Sequence, residues 1–329
     1  VVSLGVVGAL GALYLDPARA AVGPLPPEGL SLPADSRFVM GLDVRRFVAS
    51  PFYEKFGQSQ DAGRPRAFAE LQEKTGINPE RDIDNIYVAG SGPAQRGPDG
   101  VVLVMGRFDR YKITHMIETE KKGVTTKKYQ GMPMFLFSET REGRAAGAMA
   151  FLDDDSLVFG SQAAVEKTIA SRVNGDAGLR GNTALTALLE SVKPGSTFWA
   201  VGDQSVLDRL PREIPGAGGP GGISVPPLKS VVVTGDLDPV LAVDVTGEAA
   251  DETAAKNLAD VVRGMVALAS LQAGQKPELK ELASAISVST EASKVRITGR
   301  FEYEALDALR QQHQQRHPRK AEAAPSGSE

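Results

Sequence analysis

The sequence predicts an α+β protein made of two tandem pseudo-symmetric units, each a mostly antiparallel sheet covered by helices. Three observations carry this expectation. PADSRFVMGLD at residues 33–43 returns as PGSTFWAVGD at residues 194–203, with Ser36 on Ser196, Phe38 on Phe198 and Asp43 on Asp203. DNIYVAG then matches KSVVVTG with Gly90 on Gly235, and LVFGSQAAVEKTI matches VRITGRFEYEALDAL with Gly160 on Gly299. Strand-like apolar runs bounded by turn residues also alternate with helix-period segments along the whole chain. Matching order across separated segments marks an internal duplication.

In the first unit, residues 33–175, RFVMGLD is a strand and VRRFVASPFYEKFG follows with Val44, Phe47, Val48, Phe52 and Phe56 at helical spacing. RAFAELQEKTG is a second helix that Gly76 closes in a C-cap position. DIDNIYVAGSG and GVVLVMGRFD are strands split by the turn-rich PAQRGPDG, and DRYKITHMIETEKKG is a helix with Ile113, Met116 and Ile117 on one stripe. The short strands VTTKKYQG, MPMFLFSE, AAGAMAFLD and SLVFG come next, and SQAAVEKTIASRV closes the unit with Ser161 as N-cap.

The second unit, residues 176–312, begins with NGDAGLRGNTALTALLESVK as a linker. The strand GSTFWAVG, the helix DQSVLDRLPREI, the loop PGAGGPGGISVPP, and two strands in LKSVVVTGDLDPVLAVDVTGE come after it. A long helix over 251–271, the hairpin AISVSTEASKVRITG and the helix FEYEALDALRQQ complete it. Residues 313–329 are polar and without periodicity, the pattern of a disordered tail.

The N-terminal fifteen residues, VVSLGVVGALGALYL, carry no charge. They are shorter than the ~20 residues that span a bilayer as a helix. Together with the small-x-small triplet Ala18-Arg19-Ala20, they predict a signal peptide or signal-anchor over residues 1–20. The Pro-rich stretch at residues 21–32 reads as an extended spacer.

Composition excludes several functions. The net charge of −4 gives no basic footprint for nucleic acid. The absence of cysteine removes disulfides, thiolate metal sites, a thiol nucleophile and a lipidated cysteine anchor.

Few residues suggest chemistry. His115 stands alone in the folded region, on a helix, and reads as a half-exposed helix residue; the tail pair in HQQRH has helical metal-clip spacing without further ligands. Asp153, Asp154 and Asp155 lack the alternating ligands of a calcium loop and fall at a hairpin turn, as does Asp236-Leu237-Asp238-Pro239. Asp82 and Asp84 are a candidate acid/base pair, weighed against satisfying backbone donors before a strand. Gly90-Ser91-Gly92 is no nucleophile elbow, and GAGGPGG at 216–222 lacks the strand-to-helix context of a phosphate cradle. Lys121, Lys122, Lys127 and Lys128 flank a helix-to-strand turn, where they discourage edge pairing or touch an anionic lipid or polymer. No catalytic, cofactor or metal set is assigned.

LPADSRFVMGLDVRRF, GINPERDIDNIYVAG, VVLVMGRFD and LVFGSQAAVEKTI together resemble a group of exported bacterial proteins of unknown function. The likeness covers most of residues 30–172 and, more faintly, 190–310. It implies an extracytoplasmic location and a duplicated α+β architecture, and no reaction.

The resulting expectation is a non-enzymatic binding or scaffold protein of the cell envelope. It is periplasmic or tethered to the outer side of the membrane by its N-terminus, and it takes an envelope protein or apolar ligand as partner. Strand alternation turns Trp199 away from Phe198, so Trp199 and the loop glycines Gly218, Gly219, Gly221 and Gly222 form the candidate ligand or partner surface between the units. A carrier of lipid or another apolar ligand is the second reading, and a carboxylate hydrolase the third.

Overall fold

A computed structural model describes residues 23–57, 72–94, 97–120, 123–137, 147–207, 213–214, 223–224, 226–273 and 277–316. The chain is α+β, and twelve of its strands form one continuous antiparallel sheet. In chain order the strands are β1 (Phe38–Asp43), β2 (Ile83–Ala94), β3 (Gly97–Gly106), β4 (Val124–Tyr129), β5 (Met132–Phe137), β6 (Gly147–Phe151) and β7 (Ser156–Ser161). Next are β8 (Phe198–Asp203), β9 (Glu213–Ile214), β10 (Ile223–Ser224), β11 (Leu228–Asp236), β12 (Leu241–Ala249), β13 (Ile286–Glu291) and β14 (Lys294–Phe301). The sheet order is β13-β14-β12-β11-β8-β1-β2-β3-β7-β6-β5-β4, while β9 and β10 pair separately.

Strands β1 and β8 meet at the middle of the sheet, with Met40 opposite Ala200, Phe38 opposite Gly202 and Leu42 opposite Phe198. On the outer sides of this pair, Phe38 faces Gly90 of β2 and Phe198 faces Gly235 of β11. Both central strands end on an aspartate that caps the turn of helix after it. Asp43 accepts from the Arg46 N–H at 2.9 Å, and Asp203 accepts from the Ser205 N–H at 2.9 Å.

The helices are α1 (Val44–Ala49), α2 (Pro79–Asp82), α3 (Arg110–Glu120), α4 (Gln162–Asn174), α5 (Thr183–Glu190), α6 (Gln204–Leu207), α7 (Glu252–Ala273), α8 (Pro277–Ser284) and α9 (Tyr303–Arg316). The expected N-cap of α4 is present: the Ser161 hydroxyl accepts from the Ala164 N–H. Gly76 closes the stretch 72–75 with φ of +74°, its N–H donated to the Gln72 carbonyl. The rest of that expected helix lies outside the described residues.

Opposed residues share a face of an antiparallel sheet, so the registers sort every side chain onto one of two faces, A and B. Val39, Tyr87, Ala89, Val101, Leu103, Val158 and Trp199 lie on face A, in one buried cluster with Ala164, Val165 and Ile169 of α4. On face B, Ile113 and Ile117 of α3 cover Phe135, Met149 and Phe151, and Ala255, Leu258 and Ala259 of α7 cover Ala249 and Val295.

Three local expectations change. Residues 27–31, read as extended spacer, form a 3-10 helix, and Leu25, Leu30 and Leu32 are buried in the face A cluster. Proline starts such a turn as readily as it blocks one, because its fixed φ suits the first helical position. Residues 176–190, read as a linker opening the second unit, instead help to roof face A: Leu179, Leu185 and Leu189 enter the same cluster. The segment 44–57 is not one helix, because Ser50 is extended ahead of Pro51, as a residue preceding proline prefers. Its aromatic residues still find partners, with Phe52 and Phe56 each 6.1 Å from Tyr303 at the start of α9.

Candidate ligand-binding face

Strands β11, β12, β14 and β13 continue face A into the second half, where its side chains change character. One row across the strands runs Trp199, Thr234, Asp244, Thr298 and Ser287; the next runs Val201, Val232, Thr246, Arg296 and Ser289. Asp236, Ala242 and Arg300 form a third row. The concavity over these strands has a volume of about 690 Å³, and Ser191 and Lys193, which come after α5, join its lining.

The charges here are mostly matched. Arg296 forks onto Asp244, with Nε 3.1 Å from Oδ1 and 2.9 Å from Oδ2. Lys193 Nζ lies 3.2 Å from Asp236 Oδ2, while Asp236 Oδ1 accepts from the Thr197 N–H. The guanidinium of Arg300 has no carboxylate partner among the described residues, and the hydroxyls of Thr246 and Thr298 make no hydrogen bond there. Next to Asp236, the Leu237 carbonyl accepts the hydroxyl proton of Tyr303 at 2.6 Å. Burial pushes that phenol up to about 12.

Trp199, expected on a ligand or partner surface, is only 5% exposed. Its ring lies on Gly41, where a Cβ would come within 2.4 Å of the indole, and its centroid is 6.2 Å from that of Tyr87. Gly218, Gly219, Gly221 and Gly222 lie outside the described residues, as do Lys121 and Lys122.

The carboxylates singled out in the sequence have separate partners. Asp82 receives both arms of the Arg81 guanidinium at 3.0 Å and the Asn78 N–H at 2.9 Å. The Arg81 hydrogen bonds, followed by the Asn78 N–H, hold its pKa down at about 2. Asp84 instead pairs with Arg45, whose Nε is 2.6 Å from Oδ1. A carboxylate that remains ionised to such low pH is a poor proton donor or acceptor near neutrality.

Asp153 orders its turn by accepting from the Asp155 N–H and the Ser156 hydroxyl and pairs with Arg172, while Asp154 pairs with Arg110. His115 is exposed on α3, its ring 6.0 Å from that of Tyr111. Lys127 reaches Glu166 from the outermost strand β4. Among the described residues no three His, Asp or Glu side chains gather as a metal site, and no helix is long and apolar enough to cross a membrane.

Thr246, Arg296, Thr298 and Arg300 were not singled out by motif, yet a signal was there. VVLVMG in β3 is apolar at consecutive positions, as a strand covered on both faces must be. VDVTGE in β12 and KVRITGR in β14 alternate instead, as strands do when one face meets water.

The chain matches no protein-family model, no curated protein and no solved structure.

Proposed function

We propose that this chain is a non-catalytic binding protein of the bacterial envelope that holds a polar ligand on the open face A of its second half. The observation carrying this reading is the concavity itself. A concavity of about 690 Å³, floored by hydroxyls and paired charges, sits beside a tightly packed first half. Its polar lining separates this reading from an apolar-ligand carrier, whose cavity would be lined by Val and Leu. The separate arginine partners of Asp82 and Asp84 argue against a carboxylate hydrolase.

The same proposal takes the protein as two pseudo-symmetric units joined edge to edge at β1 and β8. Met40 opposite Ala200, and Phe38 opposite Gly90 where Phe198 is opposite Gly235, are the pairings that a two-fold axis between β1 and β8 generates. Strand order mirrored outward from that pair supports it, as do the paired caps Asp43 and Asp203. Export rests on the apolar N-terminus; cleavage after Ala20 would leave Leu25 and the whole core on the mature chain. N-terminal sequencing of protein exported from a bacterial host tests that part, a start at Ala21 being the expected result.

Methyl NMR of the full chain with a polar extract of bacterial envelope tests the binding face. Shifts at Thr234, Thr246 and Thr298, with Ala255 of α7 and Val295 beneath it unmoved, are the expected outcome. An unresponsive face overturns the proposal.

A further inference from the structure

We infer that the ligand of this face is a hydroxyl-rich carboxylic acid, such as a uronic-acid sugar, with the Arg300 guanidinium holding its carboxylate. The inference rests on the binding reading above and adds the ligand's chemistry. Four cations line the concavity: Lys193 is committed to Asp236, Arg296 to Asp244, and Lys294 stands between Glu248 and Glu291 on the neighbouring strands, which leaves Arg300. Arg300 is exposed and has no carboxylate partner among the described residues. Its neighbour across the strands is Ala242, whose methyl leaves room for a ligand group beside the guanidinium. A planar guanidinium grips a carboxylate through two parallel hydrogen bonds.

The rest of the floor selects against a bare, strongly charged anion. Asp236 and Asp244 balance the charges of Lys193 and Arg296, so the floor offers no surplus of positive charge for a multiply charged phosphate, whereas each carboxylate can still accept hydrogen bonds from ligand hydroxyls. Thr246 and Thr298 offer further donors and acceptors on adjacent strands, diagonal to each other and so about 7–8 Å apart in a sheet. A volume of about 690 Å³ falls in the range of small-ligand sites and is ample for one sugar ring and part of the next. One guanidinium for the acid and a field of hydroxyls and carboxylates for the ring is the complement of an acidic sugar.

The test titrates the full chain with glucuronate, and with glucose and acetate as the neutral and the hydroxyl-free controls, monitored by NMR at Arg300 Nε and the threonine methyls. Saturable glucuronate binding is expected, about ten-fold tighter than either control, and R300Q is expected to lose about ten-fold while R300K loses less. Each variant's amide spectrum checks that it is folded. A loss below about three-fold in R300Q, acetate binding as tight as glucuronate, or shifts away from Thr246 and Thr298 each overturn the inference. If glucuronate fails while envelope extract still moves the face, only the acidic-sugar inference falls; if neither moves it, the binding reading falls with it.

Discussion

Face A is one continuous surface of one sheet, yet its two halves have opposite fates. Over β2, β3 and β7 it is Tyr87, Ala89, Leu103 and Val158, roofed by α4, α5 and the residues before β1. Over β11, β12 and β14 it is Thr234, Asp244, Arg296 and Thr298, and it stays open. The helices after the last strand of each half explain the difference. After β7, Ser161 starts α4 directly and turns its apolar stripe onto the sheet. After β14, Tyr303 is tied to the Leu237 carbonyl at the strand ends, and α9 packs against α8. A sheet needs only one covered face to be stable in water, and in the second half α7 on face B supplies it. The other face is thereby left open to solvent.

The comparison can be broken by substitutions graded from the roofed side to the open side. Leu103→Ala, at a fully buried face A position, is expected to cost about 2–5 kcal/mol in chemical denaturation. A loss under about 1 kcal/mol would mean that the roof is loosely packed. Leu25→Ala is expected in the lower part of the same range, since Leu25 is fully buried under that roof. An unchanged denaturation midpoint would return residues 23–32 to the role of a spacer.

Asn182 ties α5 to the residues just before the first strand. Its Oδ1 accepts from the Leu185 N–H to cap α5, and its Nδ2 donates to the carbonyls of Ala34 and Ser36. Asn182→Ala is expected to cost about 1–2 kcal/mol, with faster amide exchange at Leu185 as the local sign.

Asp82 gives a pH-dependent contrast. Its folded pKa of about 2 lies below the 3.8 of the free side chain, so its contribution is fully present above pH 3.8 and is lost as pH falls through 2. Asp82→Asn is therefore expected to destabilise by about 1–2 kcal/mol at neutral pH, after allowing for screening of its exposed arginine partners, with the difference shrinking toward pH 2 and vanishing only below it. Parallel stability curves for the two proteins across that window would refute the ion pairing. The smallest effect belongs to the open face: Thr246→Ala should change stability by less than about 0.5 kcal/mol. A loss above about 1 kcal/mol would show that Thr246 supports the fold.

Much of this was legible residue by residue. Ser161 as N-cap and Gly76 as C-cap were both recoverable from local chemistry, because a cap is decided within one helical turn. The turn at Asp153 to Asp155 was legible for the same reason. Trp199 shows the limit. Alternation placed its side chain opposite Phe198 correctly, but whether that face was a cleft or a core depended on Gly41 across the strand and on Tyr87 beyond it. The Pro-rich stretch failed likewise, because burial of Leu25, Leu30 and Leu32 depends on a roof assembled from Leu179, Leu185 and Leu189, far along the chain.

By itself, then, the sequence determined the α+β class, most strands and their caps, and the contrast between uniformly apolar strands in β3 and alternating ones in β12 and β14, since each follows from periods of two and 3.6 within short windows. Only the tertiary structure decided that all twelve strands join in one sheet through β1 and β8, that Trp199 is core, and that Thr246, Thr298 and Arg300 meet on one open face. Those outcomes depend on which distant strands pair and where the closing helices lie, and pairing between distant strands is set by packing across the whole sheet rather than by any local pattern.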